Sequence, residues 1–312
     1  MSEFDYAFFA GRLVKLEEAK VSIMTSALQY GTGIFAGIRG YYDETKSSLS
    51  VFRIRDHYRR FLSSVKILGC SLAYTEDELI EIHMELIKKN NPHGNVYSRP
   101  FAYVGSTNIG PKLTEPGVNL DFALYMVSLG DYLPVDKGLS VMVSSWRRVS
   151  DNAIPARGKF SGAYINSALA KKEAIDNGFD EAILLSDSGH VSEGSVENIF
   201  IVRDGMLITP CSSDDILEGI TRNTIMCIAE DLGMKVVERT IDRSELYIAD
   251  EIFLVGTGCQ LAWVQSVDKR DIGVANGQIG TISKIIQQRY FATVYGEVEQ
   301  YQKWCTNVKL CR

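Results

Sequence analysis

The chain has 312 residues, 46% hydrophobic and 23% charged, with a formal net charge of −6. That is enough apolar material for one large or two medium domains, and the acidic balance argues against non-specific binding to nucleic acid. No apolar run approaches the roughly 20 residues of a membrane span, and residues 1–11 lack the basic flank and apolar core of a signal peptide, so a cytoplasmic location is expected. Six cysteines, at 70, 211, 227, 259, 305 and 311, show no C-x-x-C pairing, and with four scattered histidines they make no metal-ligand spacing. Reduced thiols and no metal site are expected.

Gly31, Gly33, Gly37 and Gly40 punctuate residues 28–42. They loosely resemble a dinucleotide fingerprint, but Ala36 stands where the third glycine is needed and no long parallel strand precedes them. Interleaved with Tyr30, Phe35, Ile38 and Tyr41, they suggest a backbone bending closely around a core corner or a ligand wall. A short strand is expected over residues 49–53. Asp56 should then cap a helix to about residue 68, with Phe61, Val65 and Leu68 buried. Thr75 and Glu78 form a capping box for a second helix to residue 89, packed through Leu79, Ile82, His83 and Leu86. Strands over 96–104 and 121–128 follow, and residues 129–138 have the Gly, Pro and charge content of a linker. The domains are therefore expected at 1–128 and 139–312.

The second half reads as a strand over 139–149, a helix over 161–177 closed by Gly178, and a strand over 180–186. Asp204-Gly205 marks a hairpin between strands 198–202 and 206–209. A helix over 221–232, with Ile225, Ile228, Ala229 and Leu232 inward, ends at Gly233. A strand over 236–241, a short helix over 243–248, strands over 251–256 and 261–267, an Asn276-Gly277 turn and a helix over 281–295 complete the chain. Sheets and helices in this order make an α+β protein.

Four stretches carry chemistry. In ARGKFSGAYINSALAKKEA, residues 156–174, Lys159 has uncharged neighbours in Gly158, Phe160 and Ser161. If it points inward at a strand end it is desolvated, which lowers its pKa and frees a nucleophilic amine; otherwise it is one more solvated lysine. Tyr164 falls in the first turn of the helix that follows. HVSEGSVENIF (190–200), LEGITRN (217–223) and VGTGCQL (255–261) each place polar groups at the end of an apolar strand or at a helix start. Glu193 is either a turn glutamate in solvent or, with Gly194 and apolar Val191, Val196 and Ile199 around it, a desolvated carboxylate.

In this order the segments closely resemble the fold-type IV pyridoxal-phosphate aminotransferases, which include branched-chain amino acid aminotransferases, D-amino acid aminotransferases and aminodeoxychorismate lyases. The likeness runs from about Ala27 to the C-terminus. It implies a small N-terminal α/β domain, a larger C-terminal domain with mixed sheets, and a cofactor cleft between them. It also implies pyridoxal 5'-phosphate held as a Schiff base on Lys159, whose amine then carries the proton from the substrate Cα. Glu193 matches the glutamate that keeps the pyridine nitrogen protonated, with Glu197 and Asn198 in support. Arg60, in His57-x-x-Arg60-Phe61, together with Leu217, Gly219, Ile220, Thr221 and Thr257, would hold the phosphate end, the helix start supplying N–H groups and positive dipole. Tyr164 would bond the phenolic oxygen.

By the same resemblance the amides of Thr257 and Gly258 hold the substrate α-carboxylate, although Gly256-Thr257-Gly258-Cys259-Gln260 departs from the commoner Gly-Thr-Ala-Ala-Glu. Tyr30, Phe35, Gly37, Tyr132 and Tyr164 would wall the side-chain pocket. Tyr97-x-Arg99 resembles the branched-chain enzymes' Tyr-x-Arg, an arginine able to clamp the second carboxylate of glutamate. Ala36 stands where those enzymes commonly carry glutamate. The implied function is transamination of leucine, isoleucine and valine with 2-oxoglutarate, in a homodimer whose crossing loop is 106–112. The alternatives are a D-amino acid or (R)-amine transaminase, an aminodeoxychorismate lyase, and a catalytically silent binding protein on the same fold.

Overall fold

The computed structural model describes residues 4–113, 119–130, 137–273 and 277–311. The chain divides into two compact units. Residues 1–130, 158–162 and 292–312 form the first, and residues 131–157 and 163–291 the second. Helices and strands are mixed in both, as an α+β reading requires.

The first unit is built on a nine-stranded sheet. Its centre is the antiparallel pair Val96–Tyr103 and Asn119–Ser128, in register from Val96 opposite Ser128 to Tyr103 opposite Asp121. Ile38–Asp43 and then Ser48–Phe52 extend it on one side, Tyr6–Phe9 and Arg12–Lys15 on the other. Three strands near the termini were not among the expected elements: Tyr6–Phe9, Arg12–Lys15, and Cys305–Lys309, which pairs with Ser48–Phe52 at the sheet edge. All are short; the first two form a hairpin with each other, and Phe8, Phe9 and Cys305–Lys309 pair with segments far away in sequence.

Two helices accompany this sheet, Ile54–Ile67 and Glu76–Asn90. The capping box of Thr75 and Glu78 is formed in both directions. Ile82 is only half-buried, and Ile87 takes its expected place beside Leu79, His83 and Leu86. The first helix begins three residues earlier than expected, and Asp56 does not cap it. Arg53 occupies the N-cap in the left-handed region, φ 50°, where its N–H donates to Trp304 O at 2.7 Å and its guanidinium lies 4.6 Å from the Trp304 ring. Asp56 sits inside the first turn and pairs with Arg53 Nε at 2.7 Å, so the acid stabilises the helix start through charge rather than by capping. Leu68 is the half-buried C-cap residue.

The second unit is also a nine-stranded sheet, in the order Val191–Gly194, Glu181–Leu185, Leu139–Arg147, Gln260–Val267, Glu251–Gly256, Asn198–Arg203, Met206–Thr209, Val236–Glu238, with Arg270–Asp271 pairing with Gln260–Val267 off this path. Leu139–Arg147 runs parallel to both its neighbours, and the remaining pairs are antiparallel except Met206–Thr209 with Val236–Glu238. Strands Glu181–Leu185 and Val191–Gly194 are buried at every position, which makes Glu193 part of the interior. The core joins Leu139, Val141, Ile183, Ile199, Ile201, Ile252 and Leu254.

Two helices of this unit matter for the site, Tyr164–Asp176 and Ile220–Asp231. The first is preceded by a 3-10 turn over Ser161–Ala163 rather than starting as α-helix at Ser161. Leu232, expected inward, is the C-cap of the second and is 36% exposed, because the helix ends before the residue reaches the sheet. The expected linker falls partly, through residues 131–136, outside the described residues, as does Asn276 of the expected Asn-Gly turn. Among the described residues no helix is long and apolar enough to cross a membrane.

Ile201 is fully buried at the centre of the second core. Ile201→Ala should lower unfolding stability by about 2–5 kcal/mol, read as a shifted urea midpoint at unchanged slope.

Candidate active site

In the first unit the chain segment 158–162 is laced to residues 31–35. Phe35 N–H donates to Lys159 O at 3.1 Å, Gly162 N–H donates to Gly31 O at 3.0 Å, and the Ser161 hydroxyl reaches Gly31 O and Gly33 O at 2.9 and 3.2 Å. A Cβ on Gly31 would lie 2.7 Å from Gly162 Cα, and Gly31 has φ +67°, so only glycine admits this approach. These contacts fix the backbone of Lys159, whose side chain is half-buried with Nζ 5.3 Å from the centre of the Phe35 ring.

Ser64 and His57, on helix Ile54–Ile67, also border Lys159. Lys159 N–H donates to Ser64 Oγ at 3.3 Å, and the Ser64 hydroxyl donates to Arg60 O at 3.0 Å, so one serine ties the lysine's backbone to that of Arg60. His57 is 2% exposed and its Nδ1 has no partner among the described residues. Burial first, then the charges of Arg60, Arg53 and Lys159, hold this imidazole well below its ordinary range. It is a neutral ring among cations. The sequence offered a weak signal for Ser64, its position four residues after Arg60 in a helix, where a serine hydroxyl can back-bond to a carbonyl.

The substrate-side residues of this unit gather around Phe35. Arg99 lies 4.4 Å from the Phe35 ring and 5.2 Å from the Tyr97 ring, and donates to the Tyr97 hydroxyl at 3.1 Å. Arg99 Nε is buried with no hydrogen-bond partner among the described residues. A Cβ on Gly37 would fall 1.9 Å from the Tyr97 hydroxyl, so this glycine is the space Tyr97 occupies. Tyr30 is 37% exposed and its hydroxyl accepts Gly110 N–H at 3.1 Å. Tyr132 lies outside the described residues.

In the second unit everything turns on Glu193, 6% exposed. Its Oε2 accepts from Asn198 Nδ2 at 3.1 Å and from Leu217 N at 3.0 Å, and its Oε1 accepts from Arg148 Nε at 2.8 Å. A carboxylate oxygen offers about two acceptor positions. Oε2 is therefore saturated, and one position on Oε1 remains. Leu217 acts through its backbone, since Leu217 O also takes Asn198 Nδ2 at 2.9 Å.

Gly219 is the N-cap of helix Ile220–Asp231 and carries no capping side chain. A Cβ there would lie 2.0 Å from Asn198 Oδ1, so Gly219 allows the Asn198 bridge to pass. Thr221 is buried in the first turn, and Ile220 is half-buried. Thr257 and Gly258 form the half-buried turn joining Glu251–Gly256 to Gln260–Val267. Cys259 is 2% exposed and belongs to the aliphatic core, so its side chain is part of the packing under the turn. Tyr164 is the half-buried first residue of its helix.

Arg148 and Asn166 were not singled out in the sequence. The only signal was the pair Arg147-Arg148 at the end of an apolar strand, a place where surface charges are equally common.

Glu197 is a second interior acid, 2% exposed. Its Oε2 accepts Val196 N–H at 3.1 Å and its Oε1 has no partner. Burial first and the nearby Glu181 charge second raise its pKa to about 8, against the opposing Val196 N–H and Lys171. Glu181 in turn is paired with Lys171 at 2.7 Å. Arg148–Glu193 and Lys171–Glu181 are thus ion pairs, whereas the surroundings of Glu197 favour its protonated form.

A family model described as amino-transferase class IV matches residues 34–267. The chain belongs to the class IV aminotransferases, an enzyme family. Over 305 residues, 97% of each chain, it is 47% identical to the "Probable branched-chain-amino-acid aminotransferase" of Aquifex aeolicus (strain VF5). Two solved structures match with TM-score 0.92. One is the branched-chain aminotransferase from the archaeon Thermoproteus uzoniensis with norvaline, 42% identical, covering 97% of this chain and 99% of that one. The other is a T.th. branched-chain amino acid aminotransferase complexed with N-(5'-phosphopyridoxyl)-L-glutamate, 37% identical, covering 98% and 99%. The fold is therefore the fold-type IV architecture that the motifs implied.

Glu197 gives a pH prediction. An acid whose folded pKa lies near 8, against an ordinary 4.5, keeps a proton in the folded state that the unfolded chain has released. Its contribution to stability is complete below pH 4.5 and is lost as pH rises through 8. Glu197→Gln, neutral at every pH, should have a melting temperature that falls less than wild type between pH 5 and about 8; identical slopes would place an ionised Glu197 in the fold.

Proposed function

We propose that the protein is a pyridoxal-phosphate-dependent aminotransferase that converts leucine, isoleucine and valine to their 2-oxo acids with 2-oxoglutarate as acceptor, working as a cytoplasmic homodimer. The observation that carries the cofactor assignment is the donor set on Glu193. A buried carboxylate with one acceptor position left suits a single N–H donor, and a protonated pyridine nitrogen is such a donor. The relative complexed with a phosphopyridoxyl-glutamate adduct supports the same reading.

Pyridoxal phosphate, when bound, supplies an electron-withdrawing ring that stabilises negative charge at the substrate Cα. Lys159 Nζ is its covalent anchor and, once released, the base that moves the Cα proton. Glu193 holds the ring-nitrogen proton and Tyr164 donates to the phenolic oxygen. Arg60, the N–H groups at the start of helix Ile220–Asp231 and the hydroxyls of Thr221 and Thr257 hold the phosphate. Thr257 and Gly258 hold the α-carboxylate through their amides.

Arg99 selects the second substrate. Its guanidinium lies against two aromatic rings and spends one donor on Tyr97, while Nε has no partner among the described residues. An apolar wall beside an unspent planar fork accepts an aliphatic side chain and can also clamp the distal carboxylate of glutamate. Self-association is supported by apolar residues left in solvent on the first unit, Ile23 at 82%, Leu28 at 65% and Ile109 at 93% exposed, on segments joined by Ser26 N–H to Ser106 O at 2.8 Å.

Borohydride reduction of holoenzyme followed by peptide mapping should label Lys159, and Lys159→Ala should lose nearly all turnover; a label on another lysine overturns the assignment. Arg99→Ala should reduce kcat/KM for glutamate and 2-oxoglutarate by about a hundredfold or more, since removing one partner of a desolvated charge pair costs about 3–5 kcal/mol. Leucine should change little. Half-reactions followed by cofactor absorbance separate the two, and an equal fall for both would favour the D-amino acid or (R)-amine transaminase reading.

A further inference from the structure

Arg148 is held in place from three directions. Its own N–H donates to Leu185 O at 2.8 Å, while Asn166, on the helix behind, donates Nδ2 to Arg147 O at 2.8 Å and accepts Val149 N–H at 3.2 Å. Its side chain is 10% exposed and meets Glu193, 7% exposed, through Nε alone. A guanidinium usually offers a carboxylate two parallel donors. Here the second is unusable because Asn198 and Leu217 already fill Oε2. The contact therefore supplies a full positive charge while leaving one position on Oε1 for another donor.

The other charged groups that face Glu193 do not replace this cation. Lys171 is spent on Glu181, and Glu197 beside them is a neutral acid. A carboxylate this deeply buried without a cation would take up a proton itself, because desolvation disfavours its charged form. An acid already carrying its own proton cannot hold one on a ring nitrogen.

We propose that Arg148 is a positioning residue for the transamination: through Glu193 Oε1 it keeps the carboxylate ionised and aims its one remaining acceptor position, so that the shared proton stays on the cofactor's ring nitrogen. This rests on the reading of Glu193 as that nitrogen's partner.

The test uses holoenzyme reconstituted with pyridoxal phosphate carrying 15N in the ring, and reads the nitrogen's chemical shift together with steady-state kinetics. Arg148→Gln should move the ring nitrogen toward its unprotonated position and lower kcat by about tenfold or more, as expected when a carboxylate loses a cation that shifts its proton affinity by about one to three pK units. KM for the oxo acid should stay within about threefold, and Arg148→Lys should restore most of both signals. Arg148→Gln with a protonated ring nitrogen and wild-type kcat overturns the proposal, as does an Arg148→Lys that is no better than Arg148→Gln.

Should Arg148→Gln fail to fold, Arg148→His decides. Its nitrogen protonation and kcat should fall as pH rises through about 6.5, where the imidazole loses its charge, and a profile parallel to wild type overturns the proposal. Glu193→Gln is measured alongside: a ring nitrogen that stays protonated there refutes the reading of Glu193 itself, independently of Arg148.

Discussion

One carboxylate sets the terms for the second unit. Glu193 lies on a strand buried at every position, and an ionised acid in such a place costs several kcal/mol unless a cation and hydrogen-bond donors surround it. The donors come from three separate parts of the chain: Arg148 after the first strand of the unit, Asn198 at the start of the next hairpin, and the backbone of Leu217 ahead of helix Ile220–Asp231. Their arrival fixes much else. Asn198 passes the helix start only because residue 219 is glycine, and Arg148 is held by Leu185 O and by Asn166, which grips the backbone on either side of it.

Charge balance then accounts for the second acid. Arg148 answers Glu193 and Lys171 answers Glu181, so Glu197 has no cation to itself and keeps its proton. Its carbonyl and side chain instead brace the turn between Glu193 and Asn198: Gly194 N–H donates to Glu197 O at 2.6 Å, and Val196 N–H donates to Oε2. An acid that looks like one more charge in the motif works as a neutral brace.

In the first unit the corresponding constraint is steric. Phe35 carries Lys159 and Arg99 against one ring, and the residue spacing that brings them there depends on glycines 31 and 37 giving up the volume taken by Gly162 and by Tyr97. The same lacing draws residues 158–162 into this unit although they lie far along the chain. A reader of the sequence sees four glycines and cannot tell a nucleotide loop from a close backbone crossing, because both need the absence of a Cβ and neither declares what fills the space.

The sequence by itself determined the α+β class, the capping box at Thr75, the aliphatic strands of the second core and the order of the motifs that resemble class IV aminotransferases. These are written in local periodicity, in cap chemistry and in short segments whose residue types suit one chemistry. It also named Glu193, Asn198 and Leu217 without saying that they meet. Only the tertiary structure decided that Arg148 is the cation at Glu193, that Ser64 ties Lys159 to Arg60, that Arg53 rather than Asp56 starts its helix, and that Cys305–Lys309 closes the edge of the first sheet. Each of these depends on which distant segments come to lie side by side, and burial, which sets what a charge costs and which partner it must find, exists only once they have done so.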